Sequence, residues 1–150
     1  MKRLPMLMLS LLTGCASAVS AGHAAPAVEL HGHQFSVEFA TDDASREHGL
    51  MMRSTLAPDR GMLFVFSATR PQAFWMKDTL IPPDMLHFDE ERRLVPTQLD
   101  LPPCKADPCP IYSSHASTRY VLELSAGTVP RIGVKTGDEL KIEGNMGPVR

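Results

Sequence analysis

Hydrophobic residues recur along this chain in short stretches of strand length. Residues 34–39, QFSVEF, alternate between apolar and polar positions, and Phe35, Val37 and Phe39 form the apolar set. That alternation predicts a strand with one buried face. Residues 61–66, GMLFVF, are apolar at every position after the glycine. A strand without a polar face is expected to be covered on both sides.

The middle of the chain repeats this pattern around a polar turn. MLHF at 85–88 predicts a strand, and the charged run DEERR at 89–93 predicts a hairpin turn. LVPTQLDL at 94–101 would be the returning strand. Because proline cannot donate to a ladder, Pro96 places that strand at an edge or at a bulge.

Two more strands are expected near the C-terminus. RYVLELSAG at 119–127 predicts a strand, and GTVPRIG at 127–133 is compatible with one helical turn ending at Gly133. VKTGDELKI at 134–142 predicts a turn followed by a final strand. One side of the 119–127 strand carries Tyr120, Leu122 and Leu124.

One helix is expected between the first two strands. In TDDASREHG, residues 41–49, Thr41 or Asp42 can cap a helix that Gly49 ends. Short strands separated by turn signals indicate a mainly β domain, either a compact β-sandwich or a small barrel, with one or two short helices. We place this single domain at 34–144 and a C-terminal tail at 145–150.

The first residues have the layout of an export signal. Residues 1–14 contain the basic pair Lys2 and Arg3, then an apolar run too short to span a bilayer. LTGC, ending at Cys15, resembles the site read by bacterial lipoprotein signal peptidase, which predicts lipidation of Cys15. Ordinary secretion is the alternative, with cleavage after Ala18 or near Ala21 or Ala25. The small residues that follow predict a flexible tether at 15–33.

Charge narrows the range of partners. Without residues 1–14 the chain has 13 basic and 17 acidic residues, a net charge of −4. Nucleic-acid binding needs clustered Lys and Arg, and no basic stripe is present, so we expect no nucleic-acid partner. The expected protein is a monomer of the periplasm or cell envelope, held at the membrane by the lipid on Cys15.

Two cysteines remain after Cys15. Cys104 and Cys109 lie in the proline-rich stretch PPCKADPCP. In an oxidising, exported compartment these near neighbours are expected to form a disulfide. A two-thiolate metal site is the alternative, although it would need further ligands.

Several separated blocks resemble the domain-of-unknown-function 192 (DUF192) family of small prokaryotic proteins. The resemblance runs from about Phe35 to Ile142 and implies a compact, mainly β domain without an established activity. Asp78 departs from the asparagine usual there, and Pro83 from an aliphatic residue. The blocks are REHGLMMR, GMLFVF, FWMKDTLIPPD, LPPCKADPCP, RYVLELSAG and IGVKTGDEL. The family's characteristic positions correspond here to Arg46, Gly49, Leu50, Arg53, Gly61, Met62, Phe74, Trp75, Met76, Lys77, Thr79 and Asp84.

Metal binding is one alternative function. Thioethers and imidazoles suit Cu(I), and His31 and His33 are one residue apart. Methionine also fills gaps in cores, which is the simpler role for Met62 and Met85. We assign no metal ligand and no cofactor. The methionines outside the signal are Met51, Met52, Met62, Met76, Met85 and Met146.

An unrecognised hydrolase is the other alternative. No G-x-S-x-G, H-E-x-x-H or glycine-rich phosphate loop occurs in the chain, so we assign no catalytic residue. His87 in a strand is more often structural. Aspartates at turns are more often turn formers than catalytic pairs, and this applies to Asp78, Asp84, Asp89 and Asp100.

Binding is therefore the favoured function, and its candidate site is AFWMKDTLIPPD at 73–84. Alternation would direct Phe74 and Met76 to the core and Trp75, Lys77 and Thr79 to the other side. Trp75 could stack on a small molecule or glycan, or contact an envelope partner. The candidate ligand-binding residues are Trp75, Lys77, Asp78, Thr79, Arg46 and Arg53. Arg46 and Arg53 could instead pair with Asp42, Asp43 or Glu47.

Overall fold

The computed structural model describes residues 24–150. The predicted signal, the predicted lipidation site Cys15 and the predicted cleavage alternatives Ala18 and Ala21 lie outside these residues. None of the helices in this range is long and apolar enough to cross a membrane. The elements are β1 (Ala27–Leu30), β2 (His33–Ala40), α1 (Asp43–His48), β3 (Arg60–Arg70), β4 (Ala73–Trp75), β5 (Pro83–Phe88), β6 (Ile111–Ser113), β7 (Thr118–Ser125), α2 (Thr128–Ile132) and β8 (Leu140–Glu143).

Most strands join one curled, six-stranded sheet that forms a half-barrel. Its order is β5-β7-β3-β2-β1-β8, and β4 and β6 form a second, two-stranded sheet. Only β2 and β3 pair in parallel among these strands, and α1 lies in the connection between them. The prediction of a mainly β domain with one or two short helices is confirmed, and the described residues contain two.

The curl brings the two ends of the large sheet close together. The backbone N–H of Leu94 donates to Asp138, and that of Leu140 donates to Arg92. The segment predicted as a returning strand therefore links β5 to β8. It pairs with β5 only through isolated bridges, such as Phe88 with Leu94, since Pro96 interrupts the ladder.

The large sheet is buried on both faces. The first, which we call the α2 face, packs under α2 through Val129 and Ile132. The second, the α1 face, packs against Leu50, just after α1, and Met76. The apolar stretch of β3 contributes side chains to both faces, as expected from its lack of a polar face. Strand residues on the α2 face include Val37, Leu63, Val65, Leu86, Leu122 and Leu124. Those on the α1 face include Met62, Phe64, Met85 and Val121.

Glycine is required where β3 approaches β7. A Cβ added to Gly61 would lie 2.6 Å from the carbonyl oxygen of Glu123 and 2.7 Å from a methyl of Leu124. Any side chain at this position would force the two strands apart. Gly61 therefore maintains the spacing between two central strands.

Both short helices have defined ends. Asp42 caps α1 by accepting a hydrogen bond from the Ser45 N–H at 2.8 Å, and Gly49 follows the last turn, as expected. The first turn of α2 is held by a carboxylate from another element. Asp84 of β5 accepts from the Val129 N–H at 2.9 Å.

The domain extends beyond the boundaries expected from the sequence. Residues 27–30, predicted to be tether, form β1 between β2 and β8, so the tether cannot run to residue 33. The predicted tail at 145–150 also packs on the domain. Met146 and Val149 contact the core of the α2 face, and the Arg150 N–H donates to Thr41.

Candidate functional site

The stretch around Trp75 divides between core and surface. Phe74 and Met76 pack on the α1 face, while the side chain of Trp75 is 39 % exposed. Phe74 makes an edge contact with Phe64, the ring centroids being 5.3 Å apart. The strand alternation expected over these three residues is therefore present.

That alternation does not continue to Thr79, which is buried rather than on the outer side. β4 ends at Trp75, and a turn follows in which the Thr79 N–H donates to Met76 at 3.3 Å. Asp78 in this turn has a φ of 53°. Asn and Asp tolerate that left-handed conformation better than most residues, which accounts for the exchange of one for the other here.

Lys77 already has partners within the protein. Its Nζ lies 5.4 Å from the centroid of the Trp75 ring and 3.8 Å from an Asp107 carboxylate oxygen. Asp107 belongs to the loop closed by the expected disulfide, in which the sulfurs of Cys104 and Cys109 are 2.10 Å apart. The Cys104 N–H also donates to Met76 at 3.1 Å. The disulfide loop thus braces the segment that carries Trp75.

Trp75 stands between an open groove and a narrow cavity. The groove, about 420 Å³, is bounded by α1 and the Trp75–Lys77 segment. The cavity, about 30 Å³, is lined by apolar residues such as Phe64 and Phe74 together with polar ones such as Thr79. The two spaces share Glu47, His48, Met51 and Trp75 as lining residues, so they adjoin.

Glu123 of β7 lies at the floor of the cavity and is only 4 % exposed. Met62 of β3 and Met85 of β5 stand opposite it in the two antiparallel pairings. No group within residues 24–150 donates a hydrogen bond to its carboxyl, and burial raises the pKa of Glu123 to about 8. Glu123 is therefore mainly protonated at pH 7, and its residue forms part of the cavity lining.

Reasoning from the sequence missed Glu123, because it lies on the side of β7 opposite Leu122 and Leu124. One signal could have found it. If GMLFVF in β3 is covered on both faces, its neighbour β7 is covered on both faces too. The single acidic residue of β7, Glu123, must then be buried.

His87 is the second buried titratable group on the α1 face. It is fully buried, its ring centroid lies 6.3 Å from that of Phe74, and neither ring nitrogen has a partner among the described residues. Burial, reinforced by the nearby His115, lowers the pKa of His87 to about 4. The imidazole is therefore uncharged at neutral pH, and it does not line the cavity.

The candidate aspartates serve local structure. Asp84 is buried and accepts from the N–H groups of Val129 and Asp100. Asp89 accepts from the Arg93 N–H at 2.7 Å within the hairpin turn. Asp100 has a φ of 50°, consistent with a turn former.

The two candidate arginines make internal ion pairs. Arg46 lines the cavity, but its guanidinium donates to Val65 at 2.8 Å and to Asp43 at 2.6 Å. Arg53 lies away from this cavity and holds Glu38 with two bonds of 2.5 and 2.7 Å. Those bonds keep the pKa of the Glu38 carboxyl below its usual range. The structure therefore does not bring Arg53 together with Trp75.

The methionines and histidines considered for copper are dispersed. His31 contacts Asp138 at 2.9 Å at the turn between β1 and β2. Met51 and Met76 line the cavity, whereas Met52 is 70 % exposed. Residues 24–150 contain no group of three or more His, Cys, Asp or Glu side chains that could hold a metal ion.

Comparison with known proteins identifies the class of this domain. The sequence profile of the DUF192 family, described as "Uncharacterized ACR", matches residues 26–142. The chain belongs to this family, as its sequence blocks indicated. No curated protein matches it.

Two solved structures are similar. One, from Sinorhizobium meliloti 1021, is described as a "putative transcription regulator"; it is 41 % identical, with 82 % of this chain and 97 % of that chain covered and a TM-score of 0.72. The other is a protein of unknown function from Novosphingobium aromaticivorans DSM 12444. It is 28 % identical, covering 86 % of this chain and 99 % of that one, also with a TM-score of 0.72.

Proposed function

We propose that this protein is an exported binding protein, anchored to the cell envelope by a lipid on Cys15, which holds a small ligand in the groove beside Trp75. The single observation that carries the binding site is an exposed tryptophan at the mouth of a cavity whose floor is a buried carboxyl that receives no hydrogen bond from the described residues. Concave sites with aromatic walls and a few polar groups are typical of ligand binding.

Energetics support a site rather than ordinary core. Burying a carboxyl without a hydrogen-bond partner lowers stability. An apolar residue at position 123, which lies between Met62 and Met85 across the sheet, would avoid that cost. Groups that break a packing rule in this way are concentrated at functional sites. Glu123 is therefore more easily explained by a ligand than by the fold.

The chemistry of the lining favours binding over catalysis. Among the residues that the structure describes, neither a serine nor a cysteine lines the cavity, and the hydroxyl of Thr79 donates to the Lys77 carbonyl at 3.3 Å. Trp75 offers an aromatic face, and Glu47 and His48 add polar groups at the rim. A ligand with an apolar or ring-shaped body and one polar head group matches this arrangement.

Ligand binding can be tested by Trp75 fluorescence. We expect members of a panel of small metabolites, amines and glycosides to change the emission of the wild-type protein saturably. Trp75→Phe should lose the fluorescence signal, and calorimetry should show a weaker affinity for this variant. The control is Leu99→Ala, at an exposed position outside the groove, which should bind as wild type does. If calorimetry gives equal affinities for all three proteins, the groove is not the binding site.

The lipid anchor has its own test. Labelled palmitate should be incorporated into the full-length chain expressed in a Gram-negative host, and Cys15→Ser should abolish incorporation. A mature N-terminus beginning after Ala18, without label, would instead demonstrate ordinary secretion.

A further inference from the structure

We propose that the ligand of this groove is a small alkylamine whose primary ammonium group enters the cavity and pairs with the Glu123 carboxylate. This inference rests on the proposed function and names its ligand class. It is drawn from the size of the cavity, the hydrogen-bonding capacity of its floor and the nature of its walls.

The size of the cavity limits the head group. A volume of about 30 Å³ accommodates one or two water-sized groups and no more. A ring or a branched anion would stay in the outer groove of about 420 Å³. An ammonium group on an unbranched stem is small enough to reach the floor.

The floor requires hydrogen-bond donors. Glu123 presents two carboxyl oxygens that receive no hydrogen bond from the described residues. A primary ammonium carries three N–H donors and no acceptor, whereas a hydroxyl has one donor. An ammonium therefore matches the floor better than a neutral alcohol does.

The walls favour a cation with an apolar stem. Phe64, Phe74 and Trp75 supply aromatic rings, and Leu50 and Met76 supply apolar surface. Aromatic faces attract ammonium groups, most strongly where water is excluded. Lys77 already demonstrates this at the outer edge of the site, since its own ammonium lies 5.4 Å from the Trp75 centroid.

The other charged groups around the floor are compatible with this ligand. Arg46, Glu47 and His48 line the cavity from α1, and His87 lies on the same sheet face, on β5. Arg46 is paired with Asp43, and burial lowers the pKa of His87 so that it is neutral. The segment from Trp75 to Thr79 adds no charged group to the cavity wall.

Proton linkage gives the proposal a measurable signature. Because burial raises the pKa of Glu123 to about 8, the empty site holds a proton at neutral pH. Pairing with an ammonium requires the carboxylate, so binding expels that proton. Affinity should therefore increase with pH until about pH 8 and then level off.

The experiment is an NMR titration of the ¹⁵N-labelled protein with n-butylammonium chloride, n-butanol, methyl β-D-glucoside and silver(I), at pH 6.5 and 8.5. We expect butylammonium to shift the Trp75 indole and Gly49 amide signals, with affinity about 25-fold higher at pH 8.5 than at pH 6.5, because the carboxylate form of Glu123 becomes that much more populated. Glu123→Gln should remove that pH dependence and weaken binding about tenfold. The variant keeps His48, which also lines the cavity, so the loss would be assigned to Glu123. Glu91→Gln, an exposed carboxylate in the hairpin turn, is the matched control.

Each other outcome has a defined meaning. Saturable binding of butanol or the glucoside at Trp75, independent of Glu123, overturns the amine proposal and leaves the binding function intact. Silver(I) binding without amine binding overturns it in favour of a soft-metal site at Met51 and Met76. Absence of any shift at Trp75 or Gly49 overturns it and also counts against the proposed function. The wild-type pH dependence provides a test even if Glu123→Gln does not fold.

Discussion

The two faces of the large sheet treat buried carboxyl groups in opposite ways. On the α2 face, Asp84 accepts hydrogen bonds from the N–H groups of Val129 and Asp100 at 2.9 and 3.2 Å. On the α1 face, Glu123 receives none from the described residues. Both are nearly inaccessible, 1 % and 4 % exposed. Burial alone therefore does not distinguish them.

The difference separates a structural role from a functional one. Asp84 supplies acceptors that the first turn of α2 lacks, so its burial stabilises the fold. Glu123 and His87 each leave polar atoms without partners among residues 24–150, which costs stability. The α2 face is a conventional apolar core, whereas the α1 face combines a core with a small polar-floored cavity.

The largest effect should come from replacing Glu123, whose buried carboxyl must ionise as the pH rises. The pKa is about 8 in the folded protein against about 4.5 unfolded, so the folded state binds more protons between these values. The free energy of unfolding should consequently fall as pH rises through this window, by as much as about 5 kcal/mol. Glu123→Gln should lose this dependence in urea denaturation at pH 5, 7 and 9. Parallel curves for both proteins would contradict the assignment, and Glu91→Gln should behave as wild type.

Asp84, in contrast, should stabilise the fold through its hydrogen bonds. Asp84→Ala leaves two backbone donors near α2 without their acceptor and should destabilise the protein by about 4 kcal/mol. Asp84→Asn, which retains one acceptor, should cost less. Chemical denaturation at pH 7 measures both. A loss below about 1 kcal/mol for the alanine variant would remove the contrast between the two faces.

His87 should make the α1 face sensitive to acid. Its pKa of about 4 in the folded protein lies below the ordinary value of 6.5, so the unfolded chain binds the proton first. As pH falls from 6.5 through 4, wild type should lose up to about 3 kcal/mol relative to His87→Leu. Thermal unfolding across this range tests the difference. The control is His33→Gln, at an exposed position, which should lose stability in acid as wild type does. If His33→Gln reduced the acid sensitivity as much as His87→Leu, the role of His87 would be contradicted.

The smallest effect on stability is expected at Trp75. Because its side chain is 39 % exposed on a three-residue strand, Trp75→Ala should cost less than about 1 kcal/mol while removing ligand binding. Phe74→Ala, on the inner side of the same strand, should cost about 3 kcal/mol. Equal destabilisation of the two variants by urea denaturation would assign Trp75 to the core.

Much of the fold could be predicted because its signals are local. β2 and β3 follow from hydrophobic pattern, and α1 from an aspartate cap and a terminal glycine. β1 could not be predicted in this way. Its four residues follow a run of small side chains, and they form a strand because β2 and β8 pair with them on both sides.

The candidate site was predictable only in part. Alternation identified the exposed Trp75, but the strand ends there, so Thr79 turned inward. Arg53 has the charge expected of a ligand-binding residue, yet it pairs with Glu38 away from the cavity. Local pattern shows which side of a strand a residue occupies, whereas the partner on that side depends on distant segments.

By itself the sequence determined the family, the mainly β class, the capped helix α1 and the separation of Trp75 from Phe74 and Met76. Those features depend on contacts between neighbouring residues and on the two-residue period of a strand. The tertiary structure alone decided that Glu123 is buried. β7 lies between β3 and β5, and α1 and the Trp75 segment cover the same face. An acidic side chain becomes a desolvated cavity floor only when elements far apart in sequence enclose it.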